Sequence, residues 1–478
     1  MNAHSVEKIG GTSIAATDVV LANVLIGPRS EDALYGRVFV VSAFAGITNL
    51  LLEHKKSGAP GVYTLFANAE RASRGAWREG LEKALSALRN LNEKTFSDPA
   101  LRGEADALAA ARIEEAGARL GDLERLCGHG HFRLDQHLGA AREMLASIGE
   151  AHSALVLTLL LRARGVTARF VDLTGWDDSR LLSLDERIAE AFAPIDPARE
   201  LPIVTGYAKC SDGLIAAYGR GYTEVVFARV AAITGAAAAI IHKEFHLSSA
   251  DPLLVGAEAV RKIGKTNYDV ADQLANIGME AVHPRAARSL RHARIPLQVR
   301  NTFDPSDAGT VISADFVSAA PRVEIVAGIK NVTALELLEH DMVGVKGYDS
   351  AILDALTRHN VRIVSKASNA NTITHHVAAS PKRIKRVVAD LETRFANAIV
   401  TTRPVALVCV IGSDLNIPGI TARAAQSLAD AGVPILGVQQ ISRRVDIQFV
   451  VEEGDYDRAI RALHYALVEA PAAKRLAA

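Results

Sequence analysis

The residues able to do chemistry fall in short, widely spaced clusters. Lys8-Ile9-Gly10-Gly11-Thr12-Ser13 sets a cation beside two glycines. Adjacent glycines let backbone N–H groups come close to an anion, and a following helix start points more of them at it. Lys8 adds a positive charge suited to a phosphoryl group in transfer. The Gly-x4-Gly-Lys spacing of a Walker A loop is absent, and Gly-Gly after a strand also serves as a plain turn. Ser42-Ala43-Phe44-Ala45-Gly46-Ile47-Thr48-Asn49 offers two uncharged hydroxyls, Ser42 and Thr48, for orienting a carboxylate; a helix cap at Thr48 is the bland alternative. Glu150, in Gly149-Glu150-Ala151-His152-Ser153, precedes the apolar run Ala154–Leu161. A glutamate entering a buried helix is costly unless paired, for example with a substrate ammonium. As a first-turn surface residue it needs no such partner. Gly219-Arg220-Gly221-Tyr222-Thr223-Glu224 exposes a guanidinium between glycines. Arginine suits forked recognition of a carboxylate, and Glu224 suits orienting a group or holding Mg²⁺ through water. A solvated loop arginine is the alternative. His283-Pro284 and Val299-Arg300-Asn301-Thr302-Phe303 read as a turn and a strand end.

Strands and helices must carry these clusters. Val6–Gly11 reads as a strand entering a glycine turn, with a helix over Thr17–Leu25. Arg37–Ala43 is apolar and β-branched, a buried strand closed by the turn AGITN. Residues 65–164 are rich in Ala, Leu, Glu and Arg and predict helices, interrupted at Asp98-Pro99 and Gly128–Gly130. Strand signals return at Ala168–Asp172, Pro202–Thr205, Ala238–Ile241 and Pro296–Val299. The alternation predicts an α/β fold, a parallel sheet between helical layers, and ligands then gather at the strand C-terminal ends.

After Pro321 an internal repeat appears. Gly347 precedes a helical run, and Asn360-Val361 opens the strand VRIVSK. Gly419 and Gly432-Val433 (strand VPILGV) follow at the same offset of 72 residues. Two β-α-β-β-α units account for this spacing. Each is small and gains by packing against a twin.

The length of 478 residues predicts two or three domains. Lys and Arg balance Asp and Glu, 54 against 54, so no basic nucleic-acid footprint is expected. No apolar run is long enough for a membrane span and MNAHSVEKIGG has no signal core. Cys127, Cys210 and Cys409 lack metal or disulfide spacing, which fits a reducing cytoplasm. The histidine-rich stretch His129–His137 reads as a polar loop rather than a metal site.

In order and spacing the clusters resemble the aspartate kinases, whose pattern runs K-F-G-G-T-S, V-S-A-x-x-G-x-T, G-E, G-R-G-G-S-D, H-P and V-R-N-T-F. The resemblance spans nearly the whole chain. It implies an amino-acid kinase fold over residues 1–315, ACT-like βαββα repeats over 321–400 and 401–478, and a homodimer paired through those repeats. It implies ATP with Mg²⁺, L-aspartate as substrate, and 4-phospho-L-aspartate as product. Lys8, Arg220 and Glu224 become the catalytic candidates. Ser42, Thr48, Glu150, Arg220 and Thr223 become the aspartate contacts, and Lys8, Gly10, Gly11, Thr12, Lys243 and Glu244 the nucleotide contacts. Tyr207 matches the aromatic of Q-G-F. No resident metal site is implied.

Some positions depart from the pattern. His242-Lys243-Glu244-Phe245-His246 stands for W-T-D-V-D-G, Leu253 replaces an arginine, and Glu280 a nucleotide-side lysine. Phosphoryl transfer needs positive charge, for which Lys243, Lys262 and Lys265 are candidates. A catalytically weak amino-acid sensor of the same fold is the alternative these departures support. The wording VEKIGGTS, LLEHKKSGAPGVY and HKEFHLSSADP resembles the subgroup associated with ectoine synthesis. In lysine-sensitive relatives an aspartate in the second strand of the first repeat contacts the effector. Val361–Lys366 has no carboxylate there, so weak inhibition by lysine is expected. Asn369 and Asn371 remain able to bind a neutral amino acid.

Overall fold

The computed structural model describes residues 4–55, 57–68, 75–128, 131–279 and 282–470; the side chains of Glu31 and Arg220 lie outside this description. Two compact units emerge. One holds the chain up to His246 together with Val282–Ala314, the other Leu247–Ala281 together with the chain from Asp315.

In the first unit, five parallel strands form where apolar and β-branched residues run together: β1 (Ser5–Ile9), β2 (Arg37–Val41), β3 (Ala168–Val171), β4 (Leu201–Thr205) and β5 (Ala238–Lys243). The chain then makes a short strand of the second unit, β6 (Lys265–Asn267), before returning with β7 (Leu297–Asn301) and β8 (Thr310–Ser313). The order within the first unit is β3-β4-β2-β1-β5-β7-β8, parallel except for β8 against β7. Every residue of β2 and β4 is buried, as strands covered on both faces require. The helical stretch resolves into Ala76–Thr95, Pro99–Cys127 and Leu138–Arg162. The last of these passes behind the sheet. Among the described residues it is one helix long and apolar enough to cross a membrane, yet 94% of its apolar window is buried.

The second unit carries one six-stranded antiparallel sheet: β9 (Ile325–Leu338), β10 (Arg362–Ser368), β11 (Thr372–Ala378), β12 (Ile399–Ile411), β13 (Gly437–Gln440) and β14 (Asp446–Val451), in the order β10-β11-β9-β12-β14-β13. The expected β-α-β-β-α units are both present. Gly347 and Gly419 occupy equivalent helix starts with φ of 105° and 72°, a left-handed conformation that glycine adopts without a Cβ penalty. Asn360 and Gly432, also at positive φ, end those helices.

Two sequence expectations need correction here. The segment 1–315 is interrupted, because Leu247, Ile263, Val270, Leu274 and Ile277 bury against Ile325, Ala327, Cys409 and Ile411 of the second unit. The repeats are also not consecutive blocks at 321–400 and 401–478. Two long central strands serve both halves: Val332–Leu338 pairs with Ile399–Val405 in the first, and Ile325–Ile329 with Leu407–Ile411 in the second. One core gathers Leu335, Leu337, Ile352, Leu356, Val377 and Leu391. The other joins Val326 to Val408, Ile447, Phe449 and Ile460. The strand expected to open at Val433 begins only at Gly437, since Pro434 has no N–H for a ladder.

Candidate active site

The clusters converge at the C-terminal ends of the parallel strands. Lys8 lies one residue from the end of β1 and Lys243 ends β5, while Glu224 occupies the first turn of the helix Tyr222–Thr234. The Glu224 carboxylate lies between the two lysines, 3.4 Å from Lys8 Nζ and 3.7 Å from Lys243 Nζ, and its second oxygen accepts the backbone N–H of His283. Burial alone would raise the Glu224 carboxyl; Lys8 and Lys243 outweigh it and hold its pKa below the ordinary value. Burial likewise lowers the Lys8 ammonium, with Glu224 opposing. Two ammonium groups share the Glu224 carboxylate at the strand ends, and the Glu244 carboxylate also acts on Lys8.

The loop after β1 is tied to the loop after β2. Ala45 N–H donates to the Gly11 carbonyl at 3.1 Å, and Ser42 N–H to that of Ile9 at 3.2 Å. A Cβ at Gly11 would sit 2.3 Å from the Ala43 carbonyl oxygen, so a side chain there would force the loops apart. Ser13 donates to Glu244 Oε1 at 2.7 Å and accepts from Thr302 at 3.4 Å, which joins the first cluster to β5 and to the VRNTF segment.

Glu150 is not at a helix start as expected. It lies mid-way along Leu138–Arg162, only 2% exposed. Ser153, one turn on, donates to the Ser42 carbonyl at 2.8 Å and docks this helix under the second cluster. The Tyr222 hydroxyl donates to Glu150 Oε1 at 2.5 Å, whereas Oε2 has no partner among the described residues. Burial pushes the Glu150 carboxyl up to about 7, against the Tyr222 hydrogen bond, which favours the charged form. His152, in the same cluster, is structural: it bonds Asn92 at 2.8 Å, and burial lowers its pKa to about 4, so it is neutral at pH 7.

Comparison with known families matches residues 5–301 to the Amino acid kinase family and residues 408–467 to the ACT domain. Aspartate kinase Ask_Ect of Stutzerimonas stutzeri is 50% identical over 98% of this chain and 98% of its own length. The chain belongs to the aspartate kinases. Aspartokinase 1 of Arabidopsis thaliana is 23% identical over 97% of this chain and 80% of its own. Aspartokinase III of E. coli, solved with aspartate and ADP, shares the fold at TM-score 0.69 and 22% identity, covering 96% of this chain and 99% of that one. The Clostridium acetobutylicum aspartate kinase does so at 0.69 and 18%, covering 97% and 100%.

Set against this family's pattern, the expected residues divide clearly. Lys8, Lys243 and Glu224 meet directly; beside them Gly10 caps the short helix Gly11–Ala15, which stands in place of the expected glycine turn, and Glu244 is held through Ser13. Thr12 is exposed on that helix, Ser42 is half-buried, and Thr223 is buried in the first turn of its own helix. Thr48 is half-buried and is not a cap, because Gly46 takes that position. Arg220 has its backbone in the turn Gly219–Gly221, with the side chain outside the described residues, as is Glu280. Lys262 and Lys265 fall in the second unit, so within the first unit Lys243 is the candidate that reaches the cluster. Sequence reasoning assigned no site role to Ser13, Tyr222 or His283, although each stands in a quoted motif; their partners Glu244, Glu150 and Glu224 are all distant in sequence.

Proposed function

We propose that this protein transfers the γ-phosphoryl group of ATP to the side-chain carboxylate of L-aspartate, giving ADP and 4-phospho-L-aspartate. The observation that carries the site assignment is the meeting of Lys8, Lys243 and Glu224 in one cluster, with a buried carboxylate, Glu150, that has one oxygen open in the same unit. An aspartate side chain is already ionised near neutral pH, so its oxygen attacks phosphorus without a base removing a proton. The P–O bond to ADP breaks, and ADP leaves as an anion. What remains for the protein is positioning and charge compensation. Lys8 and Lys243 offset negative charge on the phosphates, and Glu224 holds both ammonium groups in place. Gly10, Gly11 and Thr12 bring backbone close to the nucleotide. Arg220 takes the substrate α-carboxylate and Glu150 its ammonium, with the hydroxyls of Ser42, Thr48 and Thr223 orienting the rest.

Magnesium keeps several waters and is held by phosphates plus one or two carboxylates. Glu244, with one oxygen bound by Ser13, fits that need, and the ion would neutralise phosphate charge. Pairing of the ACT-like repeats in a homodimer belongs to the same reading, as does supply of the product to ectoine synthesis, which the subgroup likeness supports.

A hydroxylamine trap tests the assignment. With ATP, Mg²⁺ and L-aspartate, aspartyl hydroxamate should accumulate and require all three. Retained ligand binding with no hydroxamate would favour the sensor reading instead.

A further inference from the structure

Tyr222 stands where the G-R-G-G-S-D pattern has its third glycine, a residue with no side-chain donor to offer. Here the side chain reaches across to Glu150, and both residues are 2% exposed. The ring is braced from behind. Tyr207 meets it edge-on with centroids 5.9 Å apart, and the Tyr207 hydroxyl is anchored to Glu143 at 2.8 Å. Glu143 is itself fixed by the backbone N–H groups of Ile215 and Ala216, at 2.7 and 3.0 Å. The brace therefore ends in main chain, and the Tyr222 hydroxyl has little freedom to leave the carboxylate.

We propose that Tyr222 is a specificity-determining positioning residue: it fills one oxygen of Glu150 and aims the other at the substrate, so that the site selects a dicarboxylate bearing a primary ammonium group. This rests on the reading that Glu150 receives the aspartate ammonium. A carboxylate in an apolar enclosure favours its neutral form, and only the neutral form tolerates a substrate lacking the ammonium. The surroundings of the Glu150 carboxyl are the Tyr222 hydroxyl, the backbone of Ala43 and its own helix, and more remotely Tyr207. Arg220, two residues before Tyr222, contributes only its backbone to the described structure. Among the described residues, Tyr222 is thus the side-chain donor that favours the ionised form of Glu150 against its burial.

The test compares Tyr222→Phe with wild type in full-chain enzyme. Loss of a charge-assisted hydrogen bond of this kind should move the acid limb of kcat/KM for aspartate upward by about one pH unit. At about pH 7 the aspartate KM should rise roughly fivefold with kcat little changed, and most of that rise should vanish near pH 9. Succinate, which lacks the ammonium, serves as competitive inhibitor; the ratio of its Ki to the aspartate KM should shrink about tenfold. Tyr207→Phe, which frees the brace, should shift the profile in the same direction by less. A Tyr222→Phe profile superimposable on wild type, with the same succinate ratio, overturns the proposal. Glu150→Gln separates the two layers. If it raises the aspartate KM while Tyr222→Phe does not, only this inference falls; if it leaves that KM unchanged, the reading of Glu150 falls with it.

Discussion

Replacing Glu150 by glutamine keeps the shape of a buried side chain and removes its charge, and the cost of that charge can be read from the structure. In the unfolded chain the carboxyl titrates near its ordinary value of 4.5; in the folded protein burial raises it to about 7. Between these values the folded state holds a proton that the unfolded state has released. Wild-type stability therefore falls as pH rises through this window, and the loss is complete above it. The full difference corresponds to about 3 kcal/mol. Glutamine has no such window. Scanning calorimetry of both proteins from about pH 5 to about pH 9 should show the variant gaining on wild type as pH rises, by roughly 3–5 °C in Tm once the window is passed. The same substitution should raise the aspartate KM, a site that trades stability for function. A difference in Tm that stays constant across the range would show that Glu150 is not held as a costly buried charge, and the reasoning would be wrong at its root.

Other outcomes follow from the cluster and the repeats. Lys8→Ala should lower kcat far more than it weakens aspartate binding, by on the order of a hundredfold or roughly 3 kcal/mol; steady-state kinetics within about twofold of wild type would remove Lys8 from the mechanism. Lys243→Met should raise the ATP KM and leave that of aspartate nearly unchanged, and the reverse pattern would refute its placement beside the nucleotide. Arg220→Lys keeps the charge but loses the fork, so it should raise the aspartate KM; a change confined to the ATP KM would show the assignment to be mistaken. Lysine should inhibit weakly or not at all, because the cation of Lys366 already pairs with Asp349 at 2.6 Å in the first repeat; strong inhibition at low effector concentration and subsaturating aspartate would contradict this.

Much of the catalytic unit was legible because its strands are unambiguous. Arg37–Val41 is largely apolar and β-branched, and β1 and β2 lead straight into segments that carry candidate site residues. Glu150 was misplaced for a physical reason. Its helix is buried nearly all round from Leu145 to Leu161, so it has no polar face to set a period, and only the apolar run Ala154–Leu161 stood out as a helix. Tyr222 and His283 were visible in their motifs, but their partners Glu150 and Glu224 lie across sequence separations that no window spans. In the C-terminal unit the 72-residue offset disclosed two similar elements but not their nesting. Equal spacing reads as blocks in series, whereas the pairing of Ile325 with Ile411 is non-local. Pro434 was visible, yet it was read as part of the strand it delays.

The nesting has a consequence for synthesis. The inner half, from Val332 to Val405, contains its own strand partners and closes as soon as it is made. The apolar segment Ile325–Ile329 leaves the ribosome earlier, but its partner Leu407–Ile411 comes after the entire inner half. At roughly 5–20 residues per second that is a wait of several seconds with an unpaired edge exposed. A message truncated just after Val405 would therefore not yield one finished repeat with the other missing. It would yield a closed inner half trailing a strand whose partner never arrives, a form marked for aggregation or proteolysis rather than for partial regulation.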